Sequence, residues 1–390
     1  MHAKWYRSSL VLCAALLLPA TAIAQRWHSS ARLPAEIRFD DNPFLLSPAQ
    51  EARLAAPSAG DSISGRFQDM ESVSDVIPIA AVDLSLTGPG LGGRDLALAT
   101  EVSYEANVDN SRRRHAELMF SVEQTLPKAS RLRLRADWRP SYFWKNYLGD
   151  AIDGNGDGNI ATAERIYAPG TSGEVDFTLN YRRRLVKVRE GQPVELRGEL
   201  ELGYFTRGYD APFGGRDRRG PGAGLALSAA FGPRWTTELG YTLQSLDADV
   251  TREVMILNEV LFGVDFNGVN GATDTDARAF ELVDRSRLEH TLGVSVETEM
   301  SKIVTLGLTY GRRLRVYSST QPYDVDNRGR RDTRNALAAE LGVRLAHGLR
   351  LTLSGATAKQ STNRPGDPGS TGEVADYTRS VAAAGIAYRF

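Results

Sequence analysis

Residues 378–390 read TRSVAAAGIAYRF. Counted in twos from the last residue, Phe390, Tyr388, Ile386, Ala384 and Ala382 share one face. Arg389, Ala387, Gly385, Ala383 and Val381 share the other. The first face is continuously apolar and finishes in two aromatics. Successive side chains of a β-strand point to opposite sides, whereas an α-helix repeats every 3.6 residues. The stretch is therefore expected to be a strand with one greasy face.

The same alternation recurs upstream. Leu132, Leu134, Ala136 and Trp138 alternate with Arg131, Arg133, Arg135, Asp137 and Arg139. Leu196, Leu200, Leu202 and Tyr204 alternate with Glu195, Arg197, Glu199 and Glu201. Val175, Phe177, Leu179 and Tyr181 oppose Glu174, Asp176, Asn180 and Arg182, and residues 225–244, 288–310 and 337–354 repeat the pattern. Sustained helical periodicity is almost absent. A water-soluble sheet alternates too, so turn lengths discriminate. Short turns at 127–130, 186–193, 232–233, 300–301 and 346–348 alternate with long polar connections at 145–172, 208–219, 247–285, 318–333 and 361–377. That asymmetry is expected of a membrane barrel with short periplasmic turns and long outer loops. In such a barrel the apolar face meets lipid and the charged face lines the lumen; a charge turned to lipid at mid-depth costs about 2–4 kcal/mol.

The fold expected is thus all-β, a transmembrane antiparallel up-and-down barrel of about fourteen strands. Twelve is the alternative if residues 34–44 do not span. Near Ala80 and Ala81 the apolar parity shifts from Ile77 and Ile79 to Val82 and Leu84, which predicts a bulge or leaves the register open. Residues 45–74 read as a long polar outer loop. Trp138, Tyr142, Phe143 and Trp144 gather near a strand end, as in an interfacial girdle, although aromatics also favour strands in general.

Residues 1–24 read as a secretory signal peptide, with Lys4 and Arg7 before an apolar core and Ala22-Ile23-Ala24 as the cleavage site. Residues 25–33 would be a short periplasmic lead and 34–390 the barrel. The one cysteine, Cys13, lies in the leader, so the mature chain would have no thiol chemistry. Removing Lys4 and Arg7 from 47 basic residues leaves 45 against 48 acidic ones, a net charge of −3. That balance does not point to nucleic acid.

The spacing of Gly385, Tyr388 and Phe390 resembles the closing-strand signal of bacterial outer-membrane β-barrels, which the barrel-assembly machinery reads. Ala383 stands where that family usually has a polar residue. Phe39-Asp40-Asp41-Asn42 resembles the opening strand of a porin-like barrel family that often carries aromatic-Asp-x-Asn near its start. Some members are linked to exopolysaccharide or protein-sorting systems. Read without the resemblance, Asp41-Asn42-Pro43 is a turn signal. The resemblance implies the outer membrane of a Gram-negative bacterium, with lipid as a partner.

Residues 153–164, DGNGDGNIATAE, resemble an EF-hand calcium loop. Asp153, Asn155 and Asp157 fall at positions one, three and five, Gly158 at the sharp turn, the Asn159 carbonyl at seven and Glu164 at twelve. The spacing wraps hard oxygens around one point, as Ca²⁺ requires. Arg165 follows where an apolar residue is usual, and the composition also suits a plain loop. Asp265, Asn267, Asp274 and Asp276 are a weaker candidate.

The remaining candidate site is the lumen wall. Arg131, Arg133, Arg135 and Arg139 on one strand and Glu195, Arg197, Glu199 and Glu201 on another are expected to line it. Either the two strands set up a transverse field, or the charges pair locally. Catalysis is not expected: of the four histidines after the leader, only His115 sits where an outer-rim enzyme would need one. The function expected is a passive or weakly selective pore for small hydrophilic solutes. The alternative is a non-conducting accessory barrel of a polysaccharide or protein export system.

Overall fold

The computed structural model of the chain describes residues 27–56, 65, 67–151, 165–186, 194–211, 213–255, 279–320, 324, 327–345, 348–363 and 376–390. Its strands in chain order are β1 (His28–Asp40), β2 (Asp75–Pro89), β3 (Asp95–Glu105), β4 (His115–Leu126), β5 (Ser130–Ala151), β6 (Arg165–Val186), β7 (Val194–Tyr209), β8 (Arg218–Phe231), β9 (Trp235–Ala248), β10 (Thr251–Met255), β11 (Ala279–Val283), β12 (Arg287–Glu299), β13 (Val304–Tyr317), β14 (Arg331–Arg344), β15 (Leu349–Thr362) and β16 (Tyr377–Arg389). Fourteen of them close into one antiparallel barrel, and β10 and β11 form a separate two-stranded hairpin between β9 and β12. One helix, α1 (Pro48–Ala55), lies in the β1–β2 connection and begins with a capping box between Ser47 and Gln50.

Closure follows from the alternation. The barrel strands place most of their large apolar side chains on the outside, so Ile37 is 61% exposed and Leu225 64%. Leu84, Leu134, Leu202, Leu239, Leu308 and Leu337 continue this belt around the wall. Soluble monomers rarely expose a contiguous apolar patch beyond a few hundred Å². A belt around the whole wall suits hydrocarbon, and a closed sheet leaves no unpaired backbone edge to meet it.

The ends of the chain make the seam. Arg32 through Asp40 of β1 pair with Arg389 through Val381 of β16, and the Phe390 amide donates to the Ala31 carbonyl at 2.9 Å. On β16 the observed faces follow the alternation: Ile386 and Tyr388 point out, while Tyr377 and Ala387 are buried inside.

Because β1 spans, the expected count of fourteen holds and the alternative of twelve is set aside. Three expectations are corrected. The first strand starts at His28, so residues 28–33 belong to the wall and not to a periplasmic lead. The pairing of β2 with β1 and with β3 has no register shift, so the predicted bulge at Ala80 is absent. Val76, Val82, Leu84 and Leu86 all face out, and Ile77 faces in, where it is 4% exposed. Lastly, residues 145–151 and 165–172 of the expected long connection are strand, since β5 and β6 continue pairing as far as Ala151 and Arg165, through several bulges.

Candidate functional site

The β1–β2 connection is not a plain outer loop. It turns into the barrel mouth at the long-loop end and packs there. Phe44, Leu46 and Phe67 of the connection bury against Phe143 of β5, with Leu54 and Met70 at the margin. Most apolar strand side chains of this barrel face outside, so this cluster, three loop residues on the inward Phe143, anchors the loop inside the lumen. Pro43 and Leu45 of the loop line the same small space as Ile77, so the inward isoleucine has apolar neighbours there amid a mostly charged lining.

Both ends of the loop are pinned. At the first, Asp40 is 1% exposed and accepts from the Arg379 Nε at 3.0 Å through each oxygen. The Asn42 side chain donates to the Leu46 carbonyl at 2.8 Å and to the Thr378 carbonyl at 3.0 Å, and its oxygen accepts from the Leu46 amide at 2.7 Å. Asp41 accepts from the Ser380 amide at 2.6 Å. The motif of the opening strand is thus a clamp that ties the inward turn to β16. It holds Leu45 at φ 57, a left-handed conformation that a leucine adopts only under constraint. At the second end, buried Asp75 accepts from the backbone amides of Val108, Asp109 and Asn110 and from the side chains of Asn107 and Asn110. Asn110 in turn accepts from the amides of Glu71 and Ser72.

Aromatics near the mouth face inward as well. Tyr142, Phe143 and Trp144 were expected at a lipid interface, but the bulges of β5 turn them toward the loop. The Arg113 guanidinium lies 4.7 Å from the Phe44 ring centre, 5.1 Å from that of Tyr142 and 5.2 Å from that of Trp144. Such cation–π contacts hold a desolvated guanidinium in place. Trp138 alone of the group stays on the outer face, 36% exposed. The Tyr147 ring lies where a Cβ on Gly170 would come, 2.2 Å from that position, so the glycine is what lets it settle there.

The charged wall nearer the short-turn end pairs locally. Arg131 meets Glu123 at 3.0 Å, and Arg135 makes two 2.6 Å bonds to Asp137. Arg139 reaches Glu117 and, at 3.2 Å, Glu174. Glu195 accepts from Arg184 at 3.1 Å and from Arg197 at 2.6 Å. Glu199 lies 3.0 Å from Arg182, and Asn180 bonds both Glu199 and Glu201. The Arg133 Nε has no hydrogen-bond acceptor among the described residues. Only β6 separates the arginine strand from the glutamate strand, so the two sit on one wall and not across the lumen. Arg182 of β6 reaches 3.7 Å from Glu238 of β9, past two intervening strands. Gly222, Gly224, Ala226 and Ser228, which share the inward parity of β8, leave the room for that reach.

Above this paired wall, beside the inward loop, lies a cavity of about 620 Å³. Strands from β5 round to β16 contribute to it, with Phe44, Leu45, Gln50 and Phe67 of the loop. Nine arginines and Lys145 line it against a single carboxylate, Glu174. Buried Glu289, on the same inner face of β12 as Arg287, accepts from Arg287 at 2.6 Å and lies 3.2 Å from Arg315. Of the predicted lumen residues only Arg139 reaches this chamber. Arg207, Arg218, Arg287, Arg313, Arg315, Arg334 and Arg379 had not been singled out. Each carries the inward parity of its strand near the long-loop end, which was the one signal available.

Asp153, Asn155, Asp157, Asn159 and Glu164 lie outside the described residues, as do Asp265, Asn267, Asp274 and Asp276. Among the described residues no cluster of three or more His, Cys, Asp or Glu is arranged to hold a metal. His115 is buried, with one ring nitrogen 2.9 Å from the Arg113 carbonyl and the other 3.3 Å from Glu117.

No family model and no curated protein matches the chain. Similar solved structures include OmpTΔL8, a loop L8 deletion mutant of an outer membrane protein of Vibrio cholerae (TM-score 0.40, 8% identity, 93% of this chain and 99% of that one). OccAB3 of Acinetobacter baumannii has a TM-score of 0.38 at 10% identity over 93% of this chain and 99% of its own. A bacterial polysaccharide outer membrane secretin has a TM-score of 0.35 at 8% identity over 93% and 98%. These are distant likenesses, and no residue role is carried over from them.

Proposed function

We propose that the chain is a porin-like barrel of a Gram-negative outer membrane and acts as a passive, weakly selective diffusion pore for small hydrophilic solutes. The observation that carries this reading is the parity of the wall. Leucines and aromatics face outward on strand after strand, and arginines and carboxylates face the interior. Fourteen strands enclose more room than the filled eight-strand barrels and less than sixteen-strand porins. The inward loop narrows the long-loop end without replacing the charged lining beneath it. Short turns would face the periplasm and long loops the outside, with Gly385, Tyr388 and Phe390 as the handle for the barrel-assembly machinery.

A second reading is a non-conducting accessory barrel of an envelope export system. The apolar anchor of the loop favours it, because Phe44, Leu46, Phe67 and Phe143 occupy lumen space that a wide pore would leave to water. Liposome swelling separates the two. Proteoliposomes of the refolded mature chain should swell in small sugars and amino acids at rates that fall with solute size. Liposomes that keep their volume, beside a control porin that swells, would leave the accessory role.

A further inference from the structure

We infer that the arginine chamber is a binding site for a small solute carrying two or more phosphate or carboxylate charges. Charge balance is the first argument. Ten cationic side chains line the space with one carboxylate. Glu117, Glu174, Glu289, Asp332 and Asp40 pair with seven of those cations. Arg218 and Arg334 make no ion pair among the described residues.

Hydrogen-bond capacity is the second. Buried polar groups are nearly always satisfied. Here the buried Nε–H groups of Arg207, Arg218 and Arg334 have no acceptor among the described residues. A guanidinium presents its donors as a flat fork that fits the oxygens of a carboxylate or phosphate two at a time. Guanidinium donors on the arginines that line one space ask for an oxyanion and have nothing to offer a metal ion.

Placement argues for more than one charge on the solute. Arg218 belongs to β8 and Arg334 to β14, with β9, β12 and β13 between them in the wall. Forks that approach from separate parts of the wall are matched by a ligand with separate anionic groups. The volume, about 620 Å³, is that of an ordinary small-molecule site, for which roughly 300–1,000 Å³ is typical. Low-dielectric walls of one charge sign also raise the local concentration of the opposite ion. Tyr147, Tyr209, Tyr317 and Tyr377 supply ring surfaces between the cations for the solute's uncharged part.

This inference rests on the pore reading for how the solute arrives, but not for its binding. The refolded mature chain would be studied in planar bilayers under a KCl gradient, and in detergent by titration calorimetry. Pyrophosphate and citrate are the probes, with sucrose as the neutral control. The reversal potential should show preference for chloride over potassium. Pyrophosphate or citrate should reduce the chloride current at millimolar concentration and give saturable heat, while sucrose does neither. If only one of the two probes acts, it identifies the group recognised. Arg218→Gln with Arg334→Gln should raise the half-blocking concentration at least tenfold, and Arg94→Gln, in the β2–β3 turn, should leave it unchanged. A conducting wild type that prefers cations, or that neither probe blocks or binds, overturns the site and leaves the pore. Silent bilayers with saturable calorimetric binding overturn the pore and keep the site. Should the double variant not fold, the wild-type potential and titration still decide.

Discussion

Asp40 at the end of the opening strand and Arg379 near the start of the closing strand form a forked ion pair across the barrel seam, with the Arg379 Nε 3.0 Å from each Asp40 oxygen. The pair joins residues 339 positions apart at the point where the chain leaves the wall for the inward turn. Removing one partner of a buried pair strands the other, at a cost of about 3–5 kcal/mol. Arg379 keeps some solvent contact, 29% of its side chain, so the lower end is expected. Asp40→Ala should lower the urea midpoint of the refolded barrel, and adding Arg379→Ala should cost less than the sum of the two single changes. Full additivity would mean that the pair is not coupled.

Asn42 is the next link. Its side chain satisfies both the amide and the carbonyl of Leu46 as well as the Thr378 carbonyl. Asn42→Ala leaves these groups to find water, at about 1–3 kcal/mol for buried ones. The loss should fall on the loop and not on the barrel. Protease should then cut within residues 41–74 while the wall stays folded. A cleavage pattern identical to wild type would show that the turn is held by something else.

Phe67→Ala tests the loop's anchor. The cluster with Phe44, Leu46 and Phe143 is buried inside the lumen and adds nothing to strand pairing. The variant should raise single-channel conductance by weakening the constriction, with little change in the heat needed to unfold the barrel on a gel. A conductance equal to wild type would place the narrowest point elsewhere.

Much of the wall is legible in the sequence because lipid leaves no choice of parity. Leu132 to Trp138 and residues 382–390 had to alternate, and they do. The reading failed where the interior is not water. Ile77 imitates a register slip because it faces inward, where Pro43 and Leu45 of the loop share its small space. Tyr142, Phe143 and Trp144 imitate a girdle because nothing in their order shows that β5 bulges and turns them inward. The chamber was hidden for another reason. Arg207, Arg218, Arg287, Arg334 and Arg379 come one each from five strands, in a chain whose basic and acidic residues nearly balance. Only the closed topology gathers them.

Ala226 and Leu227 are adjacent on β8 and face opposite ways, with Leu227 44% exposed on the outside. An arginine turned to lipid near mid-depth costs about 2–4 kcal/mol, whereas one turned to the lumen mainly alters selectivity. Leu227→Arg should therefore lower the urea midpoint in lipid vesicles, and Ala226→Arg should leave it nearly in place while shifting ion preference. Equal destabilisation by both would contradict the assignment of lipid and water to the two faces.

The calcium reading rests on sequence spacing and is tested apart from the wall. Millimolar Ca²⁺ should protect the 152–164 connection from protease, and Asp153→Ala with Glu164→Ala should abolish that protection. Protection that survives both changes would leave Asp, Asn and Gly there as ordinary loop residues.

The most direct test of the account is single-channel recording of the refolded mature chain in planar bilayers. A lumen lined by ions and narrowed by one loop predicts discrete conductance steps, larger in Phe67→Ala than in wild type. Bilayers that stay silent with folded protein, while a control porin conducts beside it, would contradict it.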